Sequence, residues 1–125
     1  MKSLIFVTAD SCRAELDELT KTLVSVIPGS TIYQHTNLCH VLHDVLAHHV
    51  DAVFLKVEMD ETNDLEFVRM LRRNQTDLPV FLISRSEERR EKAVEAGANG
   101  YFVQPVAGQQ LKDAVRAVSR ASLEY

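Results

Sequence analysis

Residues 95–105 have the sequence EAGANGYFVQP, in which a helical pattern stops and a short β-rich run begins almost at once. Gly97 stands where the helical pattern stops, at a position suited to a left-handed helix C-cap. Residues 101–103 are two aromatic side chains and a valine, a composition typical of a strand. The segment therefore predicts a helix and a strand joined through a glycine, and similar units continue toward both ends of the chain.

Four further β-rich runs precede this segment, at residues 3–8, 31–35, 52–57 and 80–83. The run at 3–8 is apolar along its centre, which is typical of a strand that is buried on both faces of a sheet. We also predict a buried strand at 52–57 and a strong strand at 80–83. The run at 31–35 is weaker and more polar, so we predict that it forms an edge strand.

Helical spacing of apolar residues follows each run. In the first helix this pattern continues to Val26 and is stopped by Pro28 and Gly29. Before the fourth helix, Ser84 stands three residues ahead of Glu87, which predicts a capping box, and Ser86 is an equally good cap.

Five strand-then-helix repeats predict an α/β fold with parallel strands joined by right-handed crossovers. The number of strands fits the flavodoxin-like, doubly wound order 2-1-3-4-5, with helices on both faces in three layers. We interpret residues 1–125 as one domain. In such sheets the functional residues lie beyond the carboxyl ends of the strands.

Composition excludes several classes of protein. The net charge of −4, without a basic stripe, argues against direct binding to nucleic acid. The apolar runs are too short to span a membrane. Cys12 and Cys39 suggest no disulfide framework, so we expect a reducing, cytoplasmic location. The last helical pattern runs almost to Tyr125, which is compatible with the N-terminal part of a longer regulator.

Four segments resemble the receiver domain of response regulators, the CheY-like domains of bacterial two-component and phosphorelay signalling. They are LPVFLIS at 78–84, DAVFL at 51–55, DLEF at 64–67 and the segment at 95–105. The resemblance covers nearly the whole chain, and Ala-Gly-Ala-x-Gly-Tyr followed by x-Pro is its most specific part. It implies the same fold, a signalling role without enzymatic activity, and a cis peptide bond before Pro105.

Receivers use five positions for phosphotransfer, and the resemblance places them on this chain one by one. The acidic pair after the first strand falls on Thr8 and Ala9. The phosphoacceptor aspartate falls on Lys56, and the conserved lysine of the family falls on Gln104. The hydroxyl position is Ser84, which alone keeps the residue type of the family.

These replacements change the chemistry that the resemblance implies. The four charged positions carry a formal charge of −2 in the family and +1 here, from Lys56. Mg²⁺ requires oxygen ligands, so we expect its binding to be lost. An acyl phosphate also requires a carboxylate. The sequence therefore predicts a degenerate receiver, or pseudoreceiver, that acts by protein–protein interaction. Tyr101 matches the aromatic position that changes rotamer on activation in the family.

Acidic residues near the altered positions leave alternatives open. Asp10 or Glu58 is expected either to pair with Lys56 or to supply a displaced metal ligand, and the simpler interpretation is that Lys56 extends into solvent. Glu58 or Asp60 is an alternative phosphoacceptor. A further alternative is a flavodoxin-like module that binds a small ligand, although the loop at residues 8–11 lacks phosphate-binding glycines.

Two other groups of residues are weaker candidates. The first group contains possible zinc ligands, namely Cys39, His40, His43, His48 and His49. A zinc site would need three or four convergent ligands, so the favoured interpretation is an exposed polar helix face.

The fourth helix, fifth strand and fifth helix form the partner-binding and dimer face in receivers. The charged residues on this face either form ion pairs across a homodimer or are simply exposed to solvent. They are Arg90, Glu91, Lys92, Lys112 and Asp113.

Overall fold

The structure, a computed structural model, describes residues 3–57, 64–74 and 77–123. The strands are β1 (Ile5–Ala9), β2 (Thr31–His35), β3 (Ala52–Lys56), β4 (Val80–Ser84) and β5 (Gly100–Val103). The helices are α1 (Arg13–Val26), α2 (Leu38–Ala47), α3 (Asp64–Asn74), α4 (Arg90–Ala96) and α5 (Gly108–Leu123). Strands and helices alternate along the chain, as the sequence predicts.

All the strand pairs are parallel, and the sheet order is β2-β1-β3-β4-β5. The predicted doubly wound fold is therefore confirmed. β2 lies at an edge, and none of its side chains is fully buried, which accounts for its polar composition. The central strands β3 and β4 are buried along their whole length.

Helices cover both faces of the sheet because alternate strand residues point to opposite sides. α1 and α5 pack on the face that carries Phe6, Phe54 and Phe81, where the Phe54 and Phe81 rings stack with centroids 5.1 Å apart. α2, α3 and α4 pack on the opposite face, which includes Val53 and Leu82. No helix in the described ranges is long and apolar enough to cross a membrane.

Of the two predictions made for the ends of α4, one is confirmed and the other is wrong. Gly97 has a φ of +110° at the C-terminal end, so the predicted left-handed cap is confirmed. The predicted capping box is wrong, because α4 begins only at Arg90 and Arg89 provides no side-chain cap. Ser84 ends β4 instead, and its hydroxyl accepts a hydrogen bond from the Ser86 N–H in the loop between β4 and α4. Ser86 lies in the same loop, ahead of the helix.

The connection from β5 to α5 contains a cis peptide bond between Gln104 and Pro105, as the receiver resemblance implies. The Gln104 N–H donates to the Ser84 carbonyl at 2.8 Å. This bond joins the segment after β5 to the end of β4, and it helps to shape the edge of the sheet where the candidate site lies.

Candidate functional site

The carboxyl ends of four parallel strands bring the five predicted site positions to one edge of the sheet. Thr8 and Ala9 end β1, Lys56 ends β3, Ser84 ends β4, and Gln104 follows β5. Thr8, Ala9 and Ser84 are completely buried, and Lys56 is nearly so. The sheet topology thus groups these residues, which are distant in sequence.

Lys56 is held in an ion pair. Its Nζ lies 2.5 Å from Glu15 Oε2 and 3.7 Å from Asp10 Oδ2, and only 9% of its side chain is exposed. The predicted pairing with Asp10 is confirmed at the longer distance, whereas the closer partner, Glu15, was not predicted. The interpretation that Lys56 extends into solvent is wrong, because its ammonium group contacts Glu15 of α1. The other predicted partner, Glu58, lies outside the described residues, as does Asp60.

Glu15 binds two cations at once. Its Oε2 accepts from Lys56, and its Oε1 accepts from the Arg85 guanidinium at 2.7 Å. The hydrogen bond from Lys56, followed by that from Arg85, lowers the pKa of Glu15 to about 2. The same contact with Glu15 raises the pKa of Arg85. Glu15 therefore joins α1 to the end of β3 and to the loop between β4 and α4.

Asp10 lies directly after β1 and is almost fully buried. Burial raises the pKa of its carboxyl group, and the Cys12 N–H and the Lys56 charge oppose that effect. Asp10 Oδ1 accepts from the Cys12 N–H at 2.9 Å, at the beginning of α1. One carboxylate thus shapes the turn into the helix while also lying beside the Lys56 ammonium.

The uncharged positions contribute two unpaired polar atoms. Within the described parts of the chain, Thr8 Oγ1 and Gln104 Oε1 are buried and have no hydrogen-bond partner. Buried polar atoms without a partner are uncommon in folded proteins. The Ser84 hydroxyl, by contrast, is bound to the Ser86 N–H at 3.2 Å.

Tyr101 points into the protein and is buried. Its hydroxyl donates to the Ser86 carbonyl at 2.7 Å. The Arg90 guanidinium lies 5.0 Å from the centre of the Tyr101 ring and also donates to the Tyr101 carbonyl. The predicted switch position is therefore hydrogen-bonded to the loop between β4 and α4, and its ring packs on the sheet face opposite to α1.

The histidines do not converge on a common point. His48 stacks on Tyr33, and His49 lies 2.9 Å from an Asp51 carboxylate oxygen. His35 is paired with Asp44, and its ring meets that of His40 edge-on with the centroids 5.6 Å apart. His40 and His43 are both exposed. In the part of the chain that the structure describes, no group of three or more His, Cys, Asp or Glu side chains is arranged to hold a metal ion.

Comparison with known proteins agrees with this arrangement of strand ends. Residues 7–116 match the family described as the response regulator receiver domain. The chain belongs to this family. It is therefore a signalling domain of the two-component type, and such domains act on a partner or on an attached output domain.

Individual relatives give the same result. The chain is 31% identical over 104 residues to the transcriptional regulatory protein CusR of Escherichia coli K12, an alignment that covers 82% of this chain and 45% of CusR. It is 28% identical over 120 residues to the response regulator MprA of Mycobacterium ulcerans, covering 94% of this chain and 51% of MprA. The chain thus spans about half the length of these curated relatives.

A solved receiver domain from Clostridium thermocellum superposes with a TM-score of 0.84 at 17% identity, covering 98% of this chain and 99% of that one. At this low identity the similarity concerns the fold alone. It places the two chains in the same α/β architecture over nearly their whole lengths.

Proposed function

We propose that this chain is a receiver domain whose signalling does not depend on phosphorylation. The observation that supports this most strongly is Lys56, which stands at the acceptor position and is buried in an ion pair with Glu15. A protonated amine in this setting has no lone pair available to attack phosphorus. An acyl phosphate also cannot form without a carboxylate at this position.

The site residues do not fit Mg²⁺. Mg²⁺ requires near-octahedral oxygen ligands and binds chiefly through carboxylates and water. Among the described residues, the two carboxylates nearest to Lys56 are those of Asp10 and Glu15, which already bind cations and a backbone N–H. Together with Lys56 and Arg85 they sum to no net charge. Displacing these partners would leave Lys56 facing a divalent ion, with unfavourable electrostatic energy.

We also propose that the domain is held in one conformation. Glu15 binds Arg85 from one side of the loop between β4 and α4, and Tyr101 binds Ser86 from the other. A conformational equilibrium responds only to a ligand that prefers one of its states. Control would therefore come from a partner, another ligand or abundance, and the domain would act by binding protein and not as an enzyme.

The contact surface in this proposal is the α4–β5–α5 face, used by a protein partner, an output domain or a second copy of the chain. Arg90 on this face is already paired with Glu87, whereas Glu91 and Lys92 are exposed, as is the apolar side chain of Val94. We expect Val94→Glu to reduce self-association in sedimentation measurements, and a monomeric wild-type protein would contradict the homodimer.

The decisive experiment measures thermal unfolding with and without Mg²⁺ and beryllofluoride, which mimics an aspartyl phosphate. We expect no change in Tm for the wild-type protein and an increase for the Thr8→Asp, Ala9→Asp, Lys56→Asp variant. A ligand that binds only the folded state stabilises it by about 2.7 kcal/mol at a hundred times its Kd. An increase in the wild-type Tm would contradict the proposal.

Thr8 and Ala9 are completely buried, so the restored variant can be less stable than the wild type. A second measurement on the wild type avoids this difficulty. After incubation with acetyl phosphate, we expect mass spectrometry to detect no added phosphoryl group. Phosphate mapped to Glu58 or Asp60 would instead support the alternative acceptor.

A further inference from the structure

A cavity of about 450 Å³ opens beside the ion-pair cluster, between α1 and the segments that follow β4 and β5. Its volume lies within the range of about 300–1,000 Å³ that is typical of small-molecule sites. The apolar part of its wall includes Leu19, Ile83, Val106 and Leu111. An apolar wall with a few polar groups is the usual composition of such sites.

Among the described residues that line this cavity, two groups are hydrogen-bond acceptors without a partner. Gln104 lines the cavity, and its buried Oε1 has no hydrogen-bond partner. Glu18 also lines the cavity, and within the described residues its carboxylate forms no ion pair. The Thr22 hydroxyl is already used, because it donates to the Glu18 backbone carbonyl.

The charges around the cavity favour a cation. Lys56 and Arg85 are neutralised by Asp10 and Glu15. Glu18 then leaves a formal surplus of one negative charge. A bound anion would meet this surplus and an acceptor oxygen, whereas an ammonium group would supply both the positive charge and N–H donors.

We propose that the cavity binds a small organic amine that carries an apolar chain. Its ammonium group would donate to Glu18 and, once the Gln104 side chain rotates toward the cavity, to its Oε1, which is buried without a ligand. Its chain would pack against Leu19, Val106 and Leu111. Such a ligand would contact α1 and the segment after β5 together, and would give the domain an input other than phosphate. The inference goes beyond the proposed function, because amine binding does not require that phosphorylation be absent.

The test compares three six-carbon probes that differ in the head group: hexylamine, hexanoate and 1-hexanol. Backbone NMR titration at neutral pH reports both the affinity and the location of binding. Hexylamine is protonated at this pH, as lysine is. We expect it to shift the resonances of residues 15–22 and 104–111, and to bind about tenfold more tightly than the other two probes.

Variants locate the contacts. We expect Glu18→Gln and Gln104→Leu each to weaken hexylamine binding by about tenfold, and Val106→Trp to abolish it by filling the cavity. Glu95→Gln, an exposed substitution on α4, is the matched control and should change nothing. Because Glu18 is exposed, Glu18→Gln keeps the test valid if Gln104→Leu disturbs the fold.

Equal binding of hexylamine and 1-hexanol would overturn the proposal, because the site would then be only an apolar cleft. Tighter binding of hexanoate, or no binding of any probe, would overturn it equally. These outcomes are independent of the beryllofluoride experiment, so either proposal can fail while the other stands.

Discussion

Glu15 and Lys56, forty-one residues apart in sequence, meet at 2.5 Å where α1 passes the carboxyl end of β3. The contact holds a lysine ammonium at the position that the receiver resemblance assigns to the phosphoacceptor. The same Glu15 carboxylate also binds Arg85. One carboxylate of the first helix therefore pairs with two cations at the candidate site.

Substitution Glu15→Gln is expected to lower the free energy of unfolding by about 2–3 kcal/mol. Removing one partner of a buried pair leaves an uncompensated charge, which typically costs about 3–5 kcal/mol. Asp10 remains 3.7 Å from Lys56, so the loss should be smaller. Urea denaturation of the wild type and the variant measures the difference.

Glu66→Gln is the matched control for this substitution. Glu66 also forms a short ion pair, with Arg69, but both side chains are largely exposed. Exposed pairs contribute about 0–1 kcal/mol, so this variant should be nearly as stable as the wild type. Equal losses in the two variants would show that burial adds nothing to the Glu15 pair.

The stabilisation by Glu15 should depend on pH in the acidic range. Folding lowers the pKa of Glu15 from 4.5 to about 2, so its charged form is favoured in the folded state. Its contribution is complete above the unfolded pKa and is lost as the pH falls toward the folded one. The difference in unfolding free energy between the wild type and Glu15→Gln should therefore shrink between about pH 5 and about pH 2.

The difference between the two proteins is the useful quantity, because Asp10 acts in the opposite direction. Burial raises the pKa of Asp10, so its contribution to stability declines as the pH rises. A gap between wild type and Glu15→Gln that stays constant through this pH range would contradict the assignment of the acid sensitivity to Glu15.

Gly97→Ala should destabilise the protein more than Gly29→Ala does. Both glycines have positive φ, which costs an L-residue about 1 kcal/mol or more. A Cβ at Gly29 would meet nothing within 4 Å, whereas one at Gly97 would lie 3.2 Å from Arg72 Cγ. The Arg72 guanidinium also donates to the Gly97 carbonyl at 2.7 Å.

We therefore expect losses of about 1 kcal/mol for Gly29→Ala and about 2–3 kcal/mol for Gly97→Ala, measured by urea denaturation. Equal losses would mean that only the backbone strain matters and that Arg72 adjusts without cost.

The fold was predictable from sequence because each strand and helix carries its own periodic pattern, and because the polar run at 31–35 identifies an edge. The grouping of Thr8, Lys56, Ser84 and Gln104 followed from parallel strands, whose carboxyl ends share one edge of the sheet. The start of α4 was not predictable in the same way. Ser84 satisfies a capping pattern, yet β4 extends through it and uses its hydroxyl within the loop.

Glu15 and Arg85 were missed for a different reason. The sequence predicts acidic partners for Lys56 only close to the altered positions, at Asp10 and Glu58. Glu15 appeared to be an ordinary polar residue in the first turn of a helix. The available signal was topological, because α1 begins at the same sheet edge at which β3 ends, so an acid in its first turn can reach Lys56.

Tyr101→Phe should loosen the loop between β4 and α4 without disturbing the core. The substitution removes the hydrogen bond from the Tyr101 hydroxyl to the Ser86 carbonyl, and keeps the ring that Arg90 covers. We expect a loss of about 1 kcal/mol, together with faster amide hydrogen exchange at residues 85–89. Tyr33→Phe is the control, because among the described residues the Tyr33 hydroxyl forms no hydrogen bond and its ring stacks on His48. If both variants exchange at the wild-type rate, Tyr101 has no part in fixing the loop.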